Sequence, residues 1–145
     1  MTSQQIVRVE LGDRSYNVVV GPGVRSQIAN VVPATAKRAV IVTQANIPFS
    51  VEESLVASGV STRTINIGPG EEFKSLETIE MIMRECAQFG LTRNDVIVGV
   101  GGGMVTDIAG FAASAWHRGI AVVHVSTTLV GMVDAAIGGK TGINS

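Results

Sequence analysis

The sequence predicts an α/β fold built on a parallel sheet, and three observations support this. From Ala39 onward, short apolar segments alternate with segments of helical periodicity, an order typical of a parallel sheet. One apolar segment, VIVGV at residues 96–100, runs directly into three consecutive glycines and then a further helical segment. Two β-rich segments precede Ala39. We therefore expect a Rossmann-like parallel sheet with flanking helices and an N-terminal β-hairpin.

The hairpin is the first predicted element. Residues 6–11 and 16–20 are β-rich and flank Gly12 and Asp13, a pairing that favours a tight turn between antiparallel strands. We expect this hairpin to lie at an edge of the fold or at a dimer surface.

The parallel sheet and its helices follow in alternation. Strands are predicted at residues 39–43, 62–67, 96–100 and 121–125, and helices over 51–57, 75–89 and 104–117, with another beginning near Leu129. The longest helix is predicted to bury one face and to end at Gly90, a residue suited to a left-handed C-terminal conformation. That face comprises Leu76, Ile79, Met83 and Cys86.

Composition excludes several classes of function. The 145 residues are 46% hydrophobic, enough for one core, and the net charge of −1 leaves no basic face for nucleic acid. The N-terminus does not resemble a secretory signal, and polar residues such as His124 and Asp134 interrupt the apolar late segment. We expect a cytoplasmic protein without a membrane span.

Cysteine and histidine usage argues against a metal site in this chain. Cys86 is the single cysteine, so we expect it to be buried in packing. His117 and His124 have no second ligand at metal spacing, so packing or surface roles are expected for both. The chain ends in the glycine-rich run GGKTGINS, which is not typical of a protein terminus, and we expect one domain of a longer protein.

The glycine turn is the main candidate for chemistry. Three glycines between a buried strand and a helix let backbone N–H groups approach an anion such as a pyrophosphate. The GxGxxG fingerprint is only loosely met, because Gly99, Gly101 and Met104 occupy its glycine places. A close-packed turn without a ligand is the alternative interpretation.

Polar residues near predicted strand ends are the other candidates. Asp107 would stabilise its helix or contact a ligand, and Thr127 and Thr128 would cap a helix or bind a cofactor. Glu71 and Lys74 follow a strand end, where they would hold ribose and phosphate or form a solvated turn. Asp134 and Lys140 lie in an apolar, glycine-rich segment where unpaired charges are costly, which favours a functional role.

These motifs together resemble the 3-dehydroquinate synthase family. The resemblance rests on PGExxK, GGGxxxD, an RG pair beginning eleven residues after that aspartate, TTL and DAAIGGKTGIN, and it covers the chain from about residue 39 onward. It implies an NAD-binding domain, residues 1–145, with the family's C-terminal helical metal domain absent. It also implies that NAD is bound here, whereas the zinc or cobalt of the full-length parent is held elsewhere.

The resemblance assigns roles to individual residues. Asp134 and Lys140 match substrate-contacting positions, and Arg118 matches an arginine that reaches the substrate phosphate of a neighbouring subunit, which implies a homodimer. Gln44 stands where the family usually has an acidic or asparagine residue, which puts its ribose contact in question. The positions that match cofactor contacts are Gln44, Glu71, Lys74, Gly102, Gly103, Met104, Asp107, Thr127 and Thr128.

The implied activity is the conversion of 3-deoxy-D-arabino-heptulosonate 7-phosphate to 3-dehydroquinate and phosphate, with NAD used catalytically. Three alternatives remain open at this stage. The first is a related cyclase acting on sedoheptulose 7-phosphate or glucose 6-phosphate. The second is a metal-dependent polyol or glycerol-phosphate dehydrogenase, which the DAAIGGKTGIN segment does not suit. The isolated chain, expected to lack cyclase activity, would be a non-catalytic nucleotide-binding module.

Overall fold

A computed structural model of the chain describes residues 5–14, 16–20, 24–48 and 50–126. Within these ranges there are two sheets, three α-helices and several short 3-10 turns. The strands are β1 (Gln5–Val9), β2 (Tyr16–Val20), β3 (Arg38–Thr43), β4 (Ser61–Asn66), β5 (Val96–Gly101) and β6 (Ala121–Ser126). The helices are α1 (Glu52–Ala57), α2 (Leu76–Phe89) and α3 (Gly103–Ala115). The predicted helix near Leu129 lies outside the described residues.

The predicted N-terminal hairpin is confirmed. Strands β1 and β2 pair antiparallel, with Gln5 opposite Val20 and Val9 opposite Tyr16. Strand β1 ends at Val9, two residues earlier than predicted, and Leu11 is exposed ahead of a 3-10 turn at Gly12–Arg14.

The predicted parallel sheet is also confirmed. Its strands lie in the order β4-β3-β5-β6, and every neighbouring pair is parallel. The chain passes from β3 through α1 to β4 on one side, then through α2 to β5 on the other side of β3. The strand order therefore reverses between β3 and β5, which makes the carboxyl ends of these strands a topological switch point.

Alternating side chains of the central strands build two cores. On one face, residues such as Val40, Val42 and Ile97 pack against α2 and α3. On the other, Ile41, Val98 and Val100 pack with Leu55 of α1. Both cores are fully shielded because β3 and β5 are covered on two faces, as their continuous apolar sequences require.

Helix α2 confirms most of its predicted pattern and corrects one residue. Ser75 caps its first turn, and Gly90 takes the left-handed conformation at φ +78°. Cys86 is fully buried as expected, and burial raises the pKa of its thiol to about 11. Leu76 was predicted to face the core but is 66% exposed, because at about 100° per residue it lies to one side of the stripe of buried positions. The buried positions are Thr78, Ile79, Ile82 and Cys86.

A buried carboxylate joins the amino ends of β3 and β5. Oδ1 of Asp95 accepts hydrogen bonds from the backbone N–H groups of Lys37 (2.9 Å) and Arg38 (3.0 Å). Its Oδ2 accepts from the backbone N–H (2.7 Å) and the hydroxyl (2.9 Å) of Thr92. Burial alone raises the pKa of Asp95, but these four bonds outweigh it and lower the pKa below its ordinary value.

Candidate functional site

The candidate site lies where the carboxyl ends of β3 and β5 diverge. Their backbone pairing ends at Val42 and Gly99, although β5 continues to Gly101. The hydroxyl of Thr43 donates a hydrogen bond to the carbonyl of Val100 at 2.8 Å, which holds the two strand ends together. Beyond this bond the strands part, and the crevice that open α/β sheets use for ligands begins.

Two glycines of β5 allow α3 to lie directly against the strand. A Cβ placed on Gly99 would come within 2.7 Å of the Cβ of Ala109, and one on Gly101 would meet the side chain of Val105 at the same distance. Only glycine permits such contacts. A close-packed turn and an anion-binding turn were predicted as alternatives. They are compatible, because the close packing itself brings the N-terminus of α3 to the edge of the sheet where a ligand would bind.

The N-terminus of α3 differs from that of α2 in how its amide groups are satisfied. Ser75 accepts a hydrogen bond from Thr78 N at the start of α2, whereas the cap residue of α3, Gly102, provides no side-chain cap. The first turn of α3 also has no acidic side chain. Its N–H groups and the positive end of the helix dipole are therefore suited to an anion.

A partly buried ion pair joins the start of α2 to α3. Nζ of Lys74 lies 2.9 Å from Oδ2 of Asp107 and 4.0 Å from Oε1 of Glu71. The side chains of Lys74 and Asp107 are each 19% exposed, whereas Glu71 is 66% exposed. The hydrogen bond to Asp107 raises the pKa of Lys74, so its ammonium stays charged beside the glycine turn.

Gln44 follows β3 and borders a cavity. Its Nε2 donates a hydrogen bond to the carbonyl of Gly68 at 3.0 Å. The cavity, about 330 Å³ in volume, opens on the α1 side of the carboxyl edge between β3 and β4. Polar members of its lining are Thr43, Gln44, Ser50, Thr64 and Asn66.

Arg118 lies apart from these residues. Helix α3 runs back from the carboxyl edge, and its 13 residues span about 20 Å at ~1.5 Å per residue. Arg118 is exposed at the far end, and both His117 (φ +47°) and Arg118 (φ +65°) have left-handed backbones unusual for non-glycine residues. The structure thus does not bring Arg118 to the switch point of its own chain.

His124 is a feature that sequence reasoning treated as packing. It lies beside Gly99 in the β5–β6 register, and its Nδ1 is buried without a hydrogen-bond partner among the described residues. Burial lowers its pKa, while the nearby negative charge of Asp107 acts in the opposite direction. A histidine interrupting an apolar strand was the only signal in the sequence.

Thr127, Thr128, Asp134 and Lys140 all lie outside the described residues. Gly102, Gly103 and Met104 form the start of α3 as expected, next to the ion pair of Lys74 and Asp107. In the described part of the chain, no group of three or more His, Cys, Asp or Glu side chains is arranged to hold a metal ion. No described helix is both long enough and apolar enough to cross a membrane.

The strand order, the switch point and the glycine turn together define a Rossmann-like domain of the kind that binds dinucleotides. The family described as 3-dehydroquinate synthase N-terminal matches residues 64–145. The chain belongs to the 3-dehydroquinate synthase family.

Sequence relatives agree with this family. The chain is 41% identical over 145 residues to a 3-dehydroquinate synthase of Nitrobacter hamburgensis, covering 96% of this chain and 38% of the relative. It is 45% identical over 139 residues to a protein of Amycolatopsis mediterranei provisionally named aminodehydroquinate synthase, covering 95% of this chain and 38% of that one. The chain thus spans well under half the length of these relatives.

Solved structures with a similar fold include sugar phosphate cyclases. One is 2-deoxy-scyllo-inosose synthase in complex with carbaglucose-6-phosphate, NAD⁺ and Co²⁺, with a TM-score of 0.88 and 26% identity over 97% of this chain and 40% of that one. Another is 2-epi-5-epi-valiolone synthase of Streptomyces hygroscopicus with NAD⁺ and Zn²⁺ bound, with a TM-score of 0.78 and 34% identity over 94% of this chain and 39% of that one.

Proposed function

We propose that residues 1–145 form the NAD-binding domain of a 3-dehydroquinate synthase. The observation that carries the proposal is the glycine turn at the switch point, which leads into the uncapped N-terminus of α3. It lies within residues 64–145, the range that matches the family. Two structurally similar cyclases were solved with NAD⁺, which supports NAD as the ligand of this edge.

The residues of the turn would hold the pyrophosphate of NAD. The backbone N–H groups of Gly102 and Gly103, together with Met104, would donate to phosphate oxygens at the start of α3. The charged ammonium of Lys74 lies beside the same helix and would add a point charge. Asp107 holds that ammonium in place, and the exposed Glu71 would contact a ribose hydroxyl while remaining close to Lys74.

The whole protein would convert 3-deoxy-D-arabino-heptulosonate 7-phosphate to 3-dehydroquinate and phosphate. Bound NAD would supply the transient oxidation of a ring alcohol, which acidifies the neighbouring C–H so that phosphate can leave. This chain's part is to bind and orient, with Thr127 and Thr128 at the cofactor and Asp134 and Lys140 at the substrate.

Arg118 would act on the substrate phosphate of a neighbouring subunit. Its position at the far end of α3, well away from its own switch point, supports a role in trans within a homodimer. The metal of the full protein, zinc or cobalt, would be held by residues other than those described here.

A second candidate is the aminodehydroquinate synthase reaction. The 45% identity to the Amycolatopsis mediterranei protein is of the same order as the 41% identity to the Nitrobacter hamburgensis synthase. Both reactions would use the same nucleotide domain.

The full-length protein, supplied with NAD and zinc, should release phosphate from 3-deoxy-D-arabino-heptulosonate 7-phosphate. Turnover of its amino-substituted counterpart alone would favour the second candidate, and turnover of another sugar phosphate alone would favour a sister cyclase.

Calorimetric titration of this chain with NAD tests the site itself. Gly103→Val places a branched side chain at the first residue of α3, where the phosphate would approach, and should weaken NAD binding at least tenfold. Ala115→Val is the matched control, because it adds a branched residue at the exposed, opposite end of the same helix. Equal NAD affinity for Gly103→Val and the control would exclude the turn as the pyrophosphate site.

A further inference from the structure

Gln44 acts as a hydrogen-bond donor in this fold. Its side-chain amide lies 3.0 Å from the carbonyl oxygen of Gly68. A carbonyl oxygen can only accept, so the Nε2 group must face it. An ionised carboxylate at residue 44 would have no proton to donate and would instead oppose the carbonyl dipole. The bond therefore requires a hydrogen-bond donor at residue 44, which glutamine supplies and an ionised carboxylate does not.

This bond extends the β3–β4 ladder by one step. The strand pairing ends at Thr43 and Asn66, and the backbone N–H of Ile67 still donates to the carbonyl of Thr43 at 2.9 Å. The next backbone group in line, the carbonyl of Gly68, is bonded by the Gln44 side chain. The side chain thus holds Gly68, the second residue after the end of β4.

From Gly68, direct contacts lead to the ion pair at α3. The ring of Phe73 lies against Gly68 so closely that a Cβ there would overlap it. The backbone N–H of Phe73 donates to Gly70 O, and that of Lys74 to Glu71 O, each at 3.0 Å. The Lys74 ammonium then reaches Asp107 at 2.9 Å. The end of β3 is thereby linked to the helix that begins at the glycine turn.

We propose that Gln44 is a positioning residue that fixes the loop of residues 68–74, and with it Lys74, for nucleotide binding. The inference rests on the proposed function, because it assumes that a nucleotide binds at this edge of the sheet. It differs from a direct ribose contact by residue 44, which a carboxylate would make better than an amide. The two roles predict opposite effects of a carboxylate at residue 44 on NAD affinity: a positioning role predicts weaker binding, and a direct ribose contact predicts equal or tighter binding.

The test compares wild type with Gln44→Glu, which keeps the side-chain length but cannot donate. Calorimetry should show about tenfold weaker NAD binding, consistent with the loss of one hydrogen bond. Hydrogen–deuterium exchange should show roughly tenfold faster exchange at the amides of Phe73 and Lys74, because the turn that protects them is released. Gln44→Met, which keeps the shape without adding charge, should accelerate the same amides.

Asn66→Asp is the matched control. It adds a negative charge to the wall of the same cavity without touching the bond to Gly68, so exchange at Phe73 and Lys74 should not change. Equal or tighter NAD binding by Gln44→Glu, or unchanged exchange in Gln44→Glu and Gln44→Met, would overturn the positioning role. Failure of the wild-type chain to bind NAD would overturn the proposed function instead, and the exchange data would still decide whether Gln44 fixes the loop.

Discussion

Replacement of Asp95 by Asn should substantially destabilise the chain. The carboxylate is 2% exposed and accepts four hydrogen bonds, two at each oxygen. Asparagine keeps one accepting oxygen and turns an NH₂ group toward donors that the second oxygen satisfied. Bonds to a charged group are each worth about 1.5–3 kcal/mol, so a net loss of roughly 2–4 kcal/mol is expected. That is a large part of the roughly 5–15 kcal/mol that stabilises a typical domain.

The contribution of Asp95 to the stability of the fold should decrease at low pH. Because the folded-state pKa of Asp95 is lowered, its contribution is complete above the unfolded-state value of about 3.9 and is lost as pH falls through the folded-state pKa. Asparagine does not titrate. The difference in stability between wild type and Asp95→Asn should therefore be largest near neutral pH and should shrink below about pH 4.

Urea denaturation followed by circular dichroism measures both effects. Asp13→Asn is the matched control, since Asp13 is exposed and the same chemical change there should alter stability by less than about 0.5 kcal/mol. The reasoning would be refuted if Asp95→Asn were no more destabilising than Asp13→Asn. It would also be refuted if the difference between wild type and Asp95→Asn grew as the pH was lowered toward 3.

Three further predictions concern the site. Lys74→Met should weaken NAD binding about tenfold and reduce the salt dependence of binding, because one ammonium is removed from the proposed phosphate site. Calorimetry at two ionic strengths measures both, and an unchanged salt dependence would contradict this role. Arg118→Ala should leave NAD binding by this chain unchanged but lower the turnover of the full-length protein at least a hundredfold. Turnover equal to that of the wild type would exclude a contact between Arg118 and the substrate phosphate. The purified chain should carry no stoichiometric zinc after dialysis, because its one cysteine and two histidines do not form a set of zinc ligands. Elemental analysis measures this, and one tightly held metal per chain would show that the domain division is wrong.

Local patterns were sufficient to predict most of the elements. Strands β3 and β5 follow from continuous apolar runs, which strands covered on both faces require. The end of α2 at Gly90 follows from the freedom of glycine to take a left-handed backbone. Leu76 was predicted wrongly because the apolar pattern does not show which stripe of the helix the rest of the protein covers. The roles of Asp134 and Lys140, which lie outside the described residues, remain predictions.

The sequence by itself determined the α/β class, the glycine turn and the family, because these depend on residues close together in the chain. Only the tertiary structure decided which distant side chains meet. Lys74 and Asp107 are 33 positions apart, and Asp95 bonds backbone groups 57 and 58 positions away. The bond from Gln44 to Gly68 likewise depends on β3 and β4 lying side by side. Such contacts arise from strand order, which local periodicity does not encode. The bond to Gly68 is the reason why Gln44, expected from the sequence to be a cofactor ligand, is proposed instead to support the loop that carries Lys74.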